Sequence, residues 1–196
     1  HLASAKKSDF APIFAQQSIR EMTRTQRTPE EVMDAAAQAL DKAGFKEIWG
    51  ADADHLKTPE DIQATAAAGF VFFTIDPSSY VNNAADAMAG DVLNRLARQI
   101  EREELFRSSD YLGKSFEIGG SRLSFDEESL FRAAVKYGRA IAHSANMAAE
   151  IIRHRTDADI EISVDETDFA TTPLEHLFVA HELQRRGVRV TSLAPR

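Results

Sequence analysis

The chain has 196 residues, enough to bury a sizeable core, and its 43% hydrophobic and 28% charged residues are typical of a globular protein. Its net charge of −8, from 31 acidic and 23 basic residues, argues against a nucleic-acid partner, which needs a concentrated basic patch. Cysteine is absent, which excludes disulfides and thiolate metal sites and favours a cytoplasmic location. No apolar run approaches 18 residues, so we predict no membrane span and no membrane partner.

The two ends of the chain indicate a piece of a longer protein. The first residue is His1 rather than Met. At the other end, Arg196 follows a predicted strand with no helix to close the repeat. We therefore expect an excerpt of a longer catalytic domain.

Four helix starts carry the same local signal. Thr28, Thr58 and Thr172 each precede a proline and have an acid three positions further on, and Ser124 begins the same pattern without the proline. The hydroxyl oxygen accepts from a free N–H of the first turn, proline has no N–H to lose there, and the acid favours the positive helix end. These signals divide the chain into strand–helix repeats.

Residues 1–27 are predicted to be irregular, and the rest alternates between strands and helices. Predicted helices cover residues 29–42, 59–68, 84–105, 125–153 and 173–186. Predicted strands cover residues 47–50, 70–75, 160–164 and 188–193. Residues 106–124 are predicted to be an insertion in which a small hairpin turns at Gly119 and Gly120.

Alternating strands and helices predict an α/β fold in which a parallel sheet is covered by helices. Either an open doubly wound sheet or half of a TIM-like (β/α)8 barrel fits this order. No glycine-rich nucleotide-binding motif follows the first predicted strand, which disfavours the nucleotide-binding open sheets. A barrel needs about 250 residues, so residues 1–196 would form a single, incomplete βα-barrel domain.

The densest group of functional side chains follows the first predicted strand. Asp52, Asp54, His55 and Lys57 lie within six positions, and divalent cations readily bind carboxylate oxygen and imidazole nitrogen. A second carboxylate could act as a base. The alternative is a polar loop before the next helix, although Thr58 already caps that helix.

Two further acidic groups follow predicted strands. Asp76 closes an almost wholly apolar strand, so it either binds a ligand or holds its loop through backbone hydrogen bonds. Asp165 and Glu166 follow the third predicted strand and belong either to a site or to a solvated loop. In parallel sheets the residues just past the strand ends line one functional face, so these acids should share it with Asp54.

The remaining polar residues fit packing or surface roles better. His143 and His154 fall within or near the end of one predicted helix, and His176 and His181, five positions apart in the last predicted helix, do not share a face cleanly. Arg20, Arg24 and Arg27 favour a solvated basic segment over a substrate clamp. Arg196, just past the last predicted strand, lies where a clamp for a substrate carboxylate is expected.

Several long motifs, in order along the whole chain, resemble the tagaturonate epimerase family of hexuronate catabolism. They are FAQQSIREM (14–22), ADADHLKT (51–58), FFTIDP (72–77), AVKYGRAIAH (134–143), SVDET (163–167) and SLAPR (192–196). Members of that family are considerably longer, so the resemblance implies a central section that lacks the last strands and further metal ligands.

The resemblance implies a metal-dependent isomerase that interconverts D-tagaturonate and D-fructuronate in a barrel-like fold. These ketohexuronates differ at a hydroxyl-bearing carbon β to the ketone, whose C–H is not acidic. Retro-aldol cleavage, rotation of the aldehyde and re-addition would invert it, with the cation stabilising the enediolate. An aldolase or isomerase acting on another sugar acid, or a non-catalytic carbohydrate-binding module, remains the alternative.

The chemistry of this reaction gives each candidate residue a hypothetical role. Asp54 is expected to accept the hydroxyl proton and Glu166 to donate one. The expected metal ligands are His55 and Asp165, for a divalent cation of unspecified identity. The small-molecule ketohexuronate would be bound by Asp52, Lys57, Asp76 and Arg196.

Overall fold

The structure is a computed structural model that describes residues 2–196. These residues form two compact units. Of the described residues, the first contains 2–76 and 147–162, and the second contains 77–146 and 163–196. The prediction of one barrel domain therefore stays a prediction.

Among residues 2–196 seven α-helices form, and three of them begin where the predicted threonine caps require. Their bounds are α1 Leu2–Ala5, α2 Ile19–Thr25, α3 Pro29–Lys42, α4 Pro59–Ala68, α5 Gly90–Arg102, α6 Glu127–His154 and α7 Pro173–Arg185. Thr28, Thr58 and Thr172 each accept from the backbone N–H three positions on, while the acid there accepts from the threonine N–H. The three proline-containing starts are therefore confirmed. Among residues 2–196, no helix has both the length and the apolar character needed to cross a membrane.

Five strands form the main sheet and two form a separate hairpin. Their bounds are β1 Ile13–Ser18, β2 Gly50–Leu56, β3 Phe72–Ile75, β4 Phe116–Ile118, β5 Ser121–Leu123, β6 Asp159–Val164 and β7 Ser192–Pro195. The main sheet has the order β1-β2-β3-β6-β7, and the pairings β1–β2, β2–β3 and β3–β6 are parallel. The predicted parallel α/β sheet is thus confirmed, and β4 and β5 form the predicted hairpin.

Four predicted elements were wrong or displaced. Residues 13–18, predicted to be irregular, form strand β1. Their apolar and polar residues do not alternate clearly, and the strand forms because its backbone pairs with β2. The predicted first strand, 47–50, begins only at Gly50 and runs on to Leu56, so the acids lie within it rather than after it. The last strand starts at Ser192 instead of residue 188.

The predicted helix 84–105 is divided in two. A short 3-10 turn, Asn83–Ala87, precedes α5, which begins only at Gly90. Gly90 has a φ of +55°, outside the right-handed helical region, so one continuous helix cannot pass through it.

Each unit has its own hydrophobic core. In the first unit the fully buried side chains of Leu56, Ile62, Phe73 and Ile75 lie between the sheet and α4. In the second unit Tyr111 packs against Phe178 of α7 at a centroid distance of 5.4 Å, and against Phe125 at 5.2 Å. The Tyr111 hydroxyl donates to the buried Glu182 carboxylate at 2.7 Å, so the chain leading into the hairpin insertion is fixed on α7.

Candidate active site

A bulge near the end of β2 presents Asp54 and His55 together. Ala53 pairs with Phe73 and Leu56 pairs with Ile75, so β2 contains one residue more than β3 in this interval. A bulge bends the strand and re-aims its side chains. His55 has a φ of +56°, a left-handed conformation that costs a non-glycine residue about 1 kcal/mol. Such strain, next to the buried Leu56, is typical of functional positions.

Asp54 and His55 form a direct pair. Asp54 Oδ1 lies 2.8 Å from His55 Nδ1, and both side chains are about one quarter exposed. A carboxylate on one ring nitrogen fixes the orientation and tautomer of an imidazole whose other nitrogen binds a metal. Asp54, predicted to be a proton acceptor, is therefore also placed to orient His55.

Asp76 is buried at the end of β3, within reach of His55. Its N–H donates to Leu56 O at 3.0 Å, and its Oδ2 pairs with Lys57 Nζ at 2.9 Å. Candidate ligand atoms of His55 and Asp76 lie within 4.8 Å of each other. Two ligand atoms on one zinc-like ion are at most about 4.4 Å apart, so this pair is suited to hold a cation with little adjustment.

Polar side chains from the four neighbouring strands β1, β2, β3 and β6 form a connected row. Gln16 Nε2 donates to Asp52 Oδ2 at 3.2 Å, and Thr74 Oγ1 lies 3.2 Å from Asp52 Oδ1 and 3.4 Å from Glu161 Oε1. Asp52, predicted to bind substrate, is only 7% exposed. Burial first, and then the neighbouring Asp54 carboxylate, raises the pKa of Asp52 to about 6.

This raised pKa predicts that Asp52 destabilises the protein as the pH rises. Its pKa is higher in the folded state than the ordinary 3.8, so its stabilisation is complete below about pH 3.8 and is lost as the pH rises through about 6. Asp52→Asn should therefore gain up to about 3 kcal/mol of unfolding free energy, relative to the unsubstituted protein, between pH 4 and pH 7. Urea unfolding at several pH values measures this difference, and Asp9→Asn, at an exposed carboxyl, is the matched control. Parallel pH curves for Asp52→Asn and the unsubstituted protein would contradict the prediction.

The other predicted site residues lie in the second unit, in the connection between β6 and α7 and at the chain end. Ser163 Oγ donates to Asp165 Oδ1 at 2.6 Å, and Thr167 N–H donates to Asp165 O at 2.9 Å, so this connection is a hydrogen-bonded turn. The side chains of Asp165 and Glu166 are exposed. The Arg196 backbone is held by Thr171 through two hydrogen bonds, at 3.2 and 3.3 Å. The roles of Asp165, Glu166 and Arg196 stay predictions.

Sequence reasoning missed two polar groups. Gln16, Thr74 and Glu161 lie within strands, and of the three only Glu161, which alternates with Ile160 and Ile162, gave a signal in the sequence. Lys136 is 1% exposed within the buried stretch from Ala133 to Tyr137 of α6. A lysine inside such an apolar run is a signal that could have been recognised, because lysine is almost never fully buried unless it is paired.

Known proteins resemble this chain along its full length. The family model of UxaE, tagaturonate epimerase, matches residues 1–196. The tagaturonate/fructuronate epimerase of Thermotoga maritima is 44% identical over 197 residues, which cover 100% of this chain and 40% of that protein. This chain therefore spans about two fifths of the length of that relative.

Solved structures with the same fold come from Cohnella laeviribosi. The one-glycerol complex of its fructuronate-tagaturonate epimerase UxaE has a TM-score of 0.93 and 36% identity, and the native form has a TM-score of 0.88 and 37% identity. Each match covers 100% of this chain and 40% of the solved chain. With a family match over all its residues, this chain belongs to the tagaturonate epimerase family.

Proposed function

We propose that this chain is the segment of a metal-dependent epimerase that carries part of its active site, and that the whole protein interconverts D-tagaturonate and D-fructuronate. The observation that supports this most is the family match over residues 1–196, together with 44% identity to an epimerase of that name. The activity is proposed for the full-length protein, since relatives are about two and a half times longer than this chain.

The proposed architecture is a TIM-like barrel of which the five-stranded sheet is a part. Parallel strands joined by helices are the repeat of that fold, and its catalytic residues lie at the carboxyl ends of the strands. His55 and Asp76 occupy this position on β2 and β3. Sugar-acid metabolism is consistent with the predicted cytoplasmic location.

The proposed proton transfers involve Asp54 and Glu166. Asp54 would accept the proton of the substrate hydroxyl while the neighbouring C–C bond breaks, and Glu166 would return a proton after the aldehyde has rotated. The pairing of Asp54 with His55 gives this carboxylate a fixed orientation. Asp52, Lys57, Asp76 and Arg196 would bind or orient the substrate.

The proposed cation ligands are His55 and Asp165, and we add Asp76, whose carboxylate oxygen lies within 4.8 Å of a ring nitrogen of His55, as a third candidate. Imidazole nitrogen with carboxylate oxygens suits a divalent ion of the zinc, manganese or nickel type. When bound, such a cation would stabilise negative charge on the substrate's ketone oxygen during cleavage.

A product assay in deuterated water tests both the reaction and its course. The full-length protein is incubated with D-tagaturonate, and products are followed by NMR. We expect D-fructuronate without deuterium at the inverted carbon, because that carbon keeps its hydrogen when the C–C bond breaks. Chelation should abolish turnover, and one divalent metal should restore it.

Other outcomes separate the alternatives. Deuterium at the inverted carbon would contradict the retro-aldol route, and accumulated three-carbon fragments would indicate an aldolase. Substrate binding without any product, in protein supplied with each divalent metal, would indicate a carbohydrate-binding module and overturn the proposed function.

A further inference from the structure

Lys136 of α6 is buried between two carboxylates in the second unit. Its Nζ lies 3.1 and 3.0 Å from the two oxygens of Asp86 and 2.9 Å from Glu175 Oε1. The lysine side chain is 1% exposed, and those of Asp86 and Glu175 are 17% and 8% exposed. The contacts with Asp86 Oδ1 and Glu175 Oε1 are hydrogen bonds, whereas Asp86 Oδ2 lies at ion-pair distance only.

Lys136 is therefore a permanent cation with a structural task. Burial alone would lower its pKa, but the hydrogen bonds that it donates to Glu175 and Asp86 outweigh that effect and raise the pKa of Lys136 above its ordinary value. It therefore stays protonated at neutral pH and cannot act as a base there. It lines a cavity of about 500 Å³ together with Arg132, and two of its three protons are already donated to protein carboxylates.

The two carboxylates belong to segments that follow different strands of the sheet. Asp86 lies in the turn Asn83–Ala87, which follows β3, whereas Glu175 lies in the first turn of α7, which follows β6. Glu175 also accepts from the Thr172 N–H at 2.8 Å, which closes the cap of α7. Lys136 thus joins both connections to α6 through a single atom.

Further hydrogen bonds connect these segments to one another and to α6. The Asp168 N–H donates to Asn83 Oδ1 at 3.3 Å, and the Asn82 N–H donates to Lys136 O at 2.9 Å. Arg132, one turn earlier on α6, donates from Nη1 to the carbonyls of Ala85, Asp86 and Met88 at 2.7 to 2.9 Å. The connection 165–172, which carries Asp165 and Glu166, is therefore held at Asp168 and, through Glu175, at its C-terminal end.

We propose that Lys136 is a positioning residue for the epimerase reaction: through Glu175 and Asp86 it holds the connection that carries Glu166. This inference rests on the proposed function, in which Glu166 acts on the substrate or its cation. A carboxylate displaced by about 1 Å loses roughly a hundredfold in rate, so a buried anchor outside the site can control turnover.

The test is a double-mutant cycle in the full-length protein. Lys136→Met alone leaves two buried carboxylates without a cation and is expected to fold poorly. The neutral variant Lys136→Met/Asp86→Asn/Glu175→Gln avoids this and should fold. We expect its kcat to fall by at least about tenfold with KM changed less than about threefold, because a misplaced catalytic group weakens the transition state more than the ground state.

The second arm of the cycle uses Glu166→Gln. If Lys136 acts by placing Glu166, the neutral triple change should alter kcat less than about twofold when Gln already occupies position 166, since coupled residues are not additive. A merely structural role would multiply the rate by the same factor in both backgrounds, and this outcome overturns the inference. Lys136→Arg should have a kcat between those of the unsubstituted protein and the neutral triple variant. Arginine keeps the positive charge but does not reproduce the contacts of the ammonium with Asp86 and Glu175.

Two controls complete the design. Arg139→Met, three residues further along α6, removes only an exposed ion pair with Glu103 and should leave kcat unchanged. Glu166→Gln alone tests the proposed function: near-normal turnover there overturns the role of Glu166 and this inference with it. An inactive Glu166→Gln combined with additive effects overturns the positioning role alone.

Discussion

Glu166→Gln and Asp54→Asn should each give a folded, metal-containing enzyme with turnover lowered by about a hundredfold to ten-thousandfold, the range for loss of a general acid or base. Both changes preserve side-chain shape while removing the ability to exchange a proton at the site. Glu166 is exposed and Asp54 is about one quarter exposed, so neither change opens a cavity in the core. Steady-state kinetics with D-tagaturonate measure the rate, and elemental analysis measures the bound metal.

The metal content of each variant shows whether its acid transfers a proton or helps to bind the cation. Asp54 Oδ1 is bonded to His55 Nδ1, and loss of such an orienting carboxylate lowers metal affinity by about tenfold to a hundredfold. A metal-depleted Asp54→Asn enzyme would therefore reassign Asp54 to orienting His55, and a metal-depleted Glu166→Gln enzyme would make Glu166 a ligand. Near-normal turnover would remove either residue from the mechanism.

Asp168→Asn is the matched control for Glu166→Gln. Asp168 is an exposed carboxylate in the same connection between β6 and α7, and its described hydrogen bond is made by the backbone N–H, which the substitution keeps. It should therefore leave turnover and metal content unchanged. A loss as large as that of Glu166→Gln would mean that charge in this segment matters more than any single carboxylate.

The parts of the fold that local chemistry determines were predictable. Helices α3 and α4 begin where Thr28 and Thr58, with their prolines and acids, predict. These caps form within a few residues, so a sequence window contains all the information. The parallel sheet followed in turn from the order of strands and helices.

The displaced elements depend on partners that are distant in sequence. Strand β1 is stabilised by pairing from Ile13 with Gly50 to Ser18 with Asp54, and its own pattern, with Gln16 and Gln17 side by side, resembles a loop. Asp52 was predicted to follow a strand, but hydrogen bonds from Gln16 and Thr74 make it an interior residue of one. Long-range pairing overrides local propensity in strands more than in helices.

The candidate site was predictable as a set of residues but not as a geometry. The sequence places Asp54, His55 and Asp76 near strand ends, and the structure brings His55 and Asp76 within ligand distance. The sequence did not indicate that Lys57 pairs with Asp76. The bulge at His55, which has no local signature such as glycine, decides where the imidazole points.

His55→Ala should remove the bound metal and, with it, turnover to below about a thousandth of the original rate, because the imidazole is the only nitrogen ligand proposed. His55→Gly should lose the metal equally but be more stable than His55→Ala by about 1 kcal/mol, since glycine adopts the φ of +56° without strain. Elemental analysis and thermal unfolding of apo-proteins measure the two effects independently. His154→Ala is the control, because His154 pairs with Glu150 on α6 and carries no proposed metal role. A His55→Ala protein that binds its full complement of metal would exclude His55 as a ligand. If the glycine variant were then still the more stable of the two, the bulge would be a backbone feature whose strain serves to aim Asp54 rather than the imidazole.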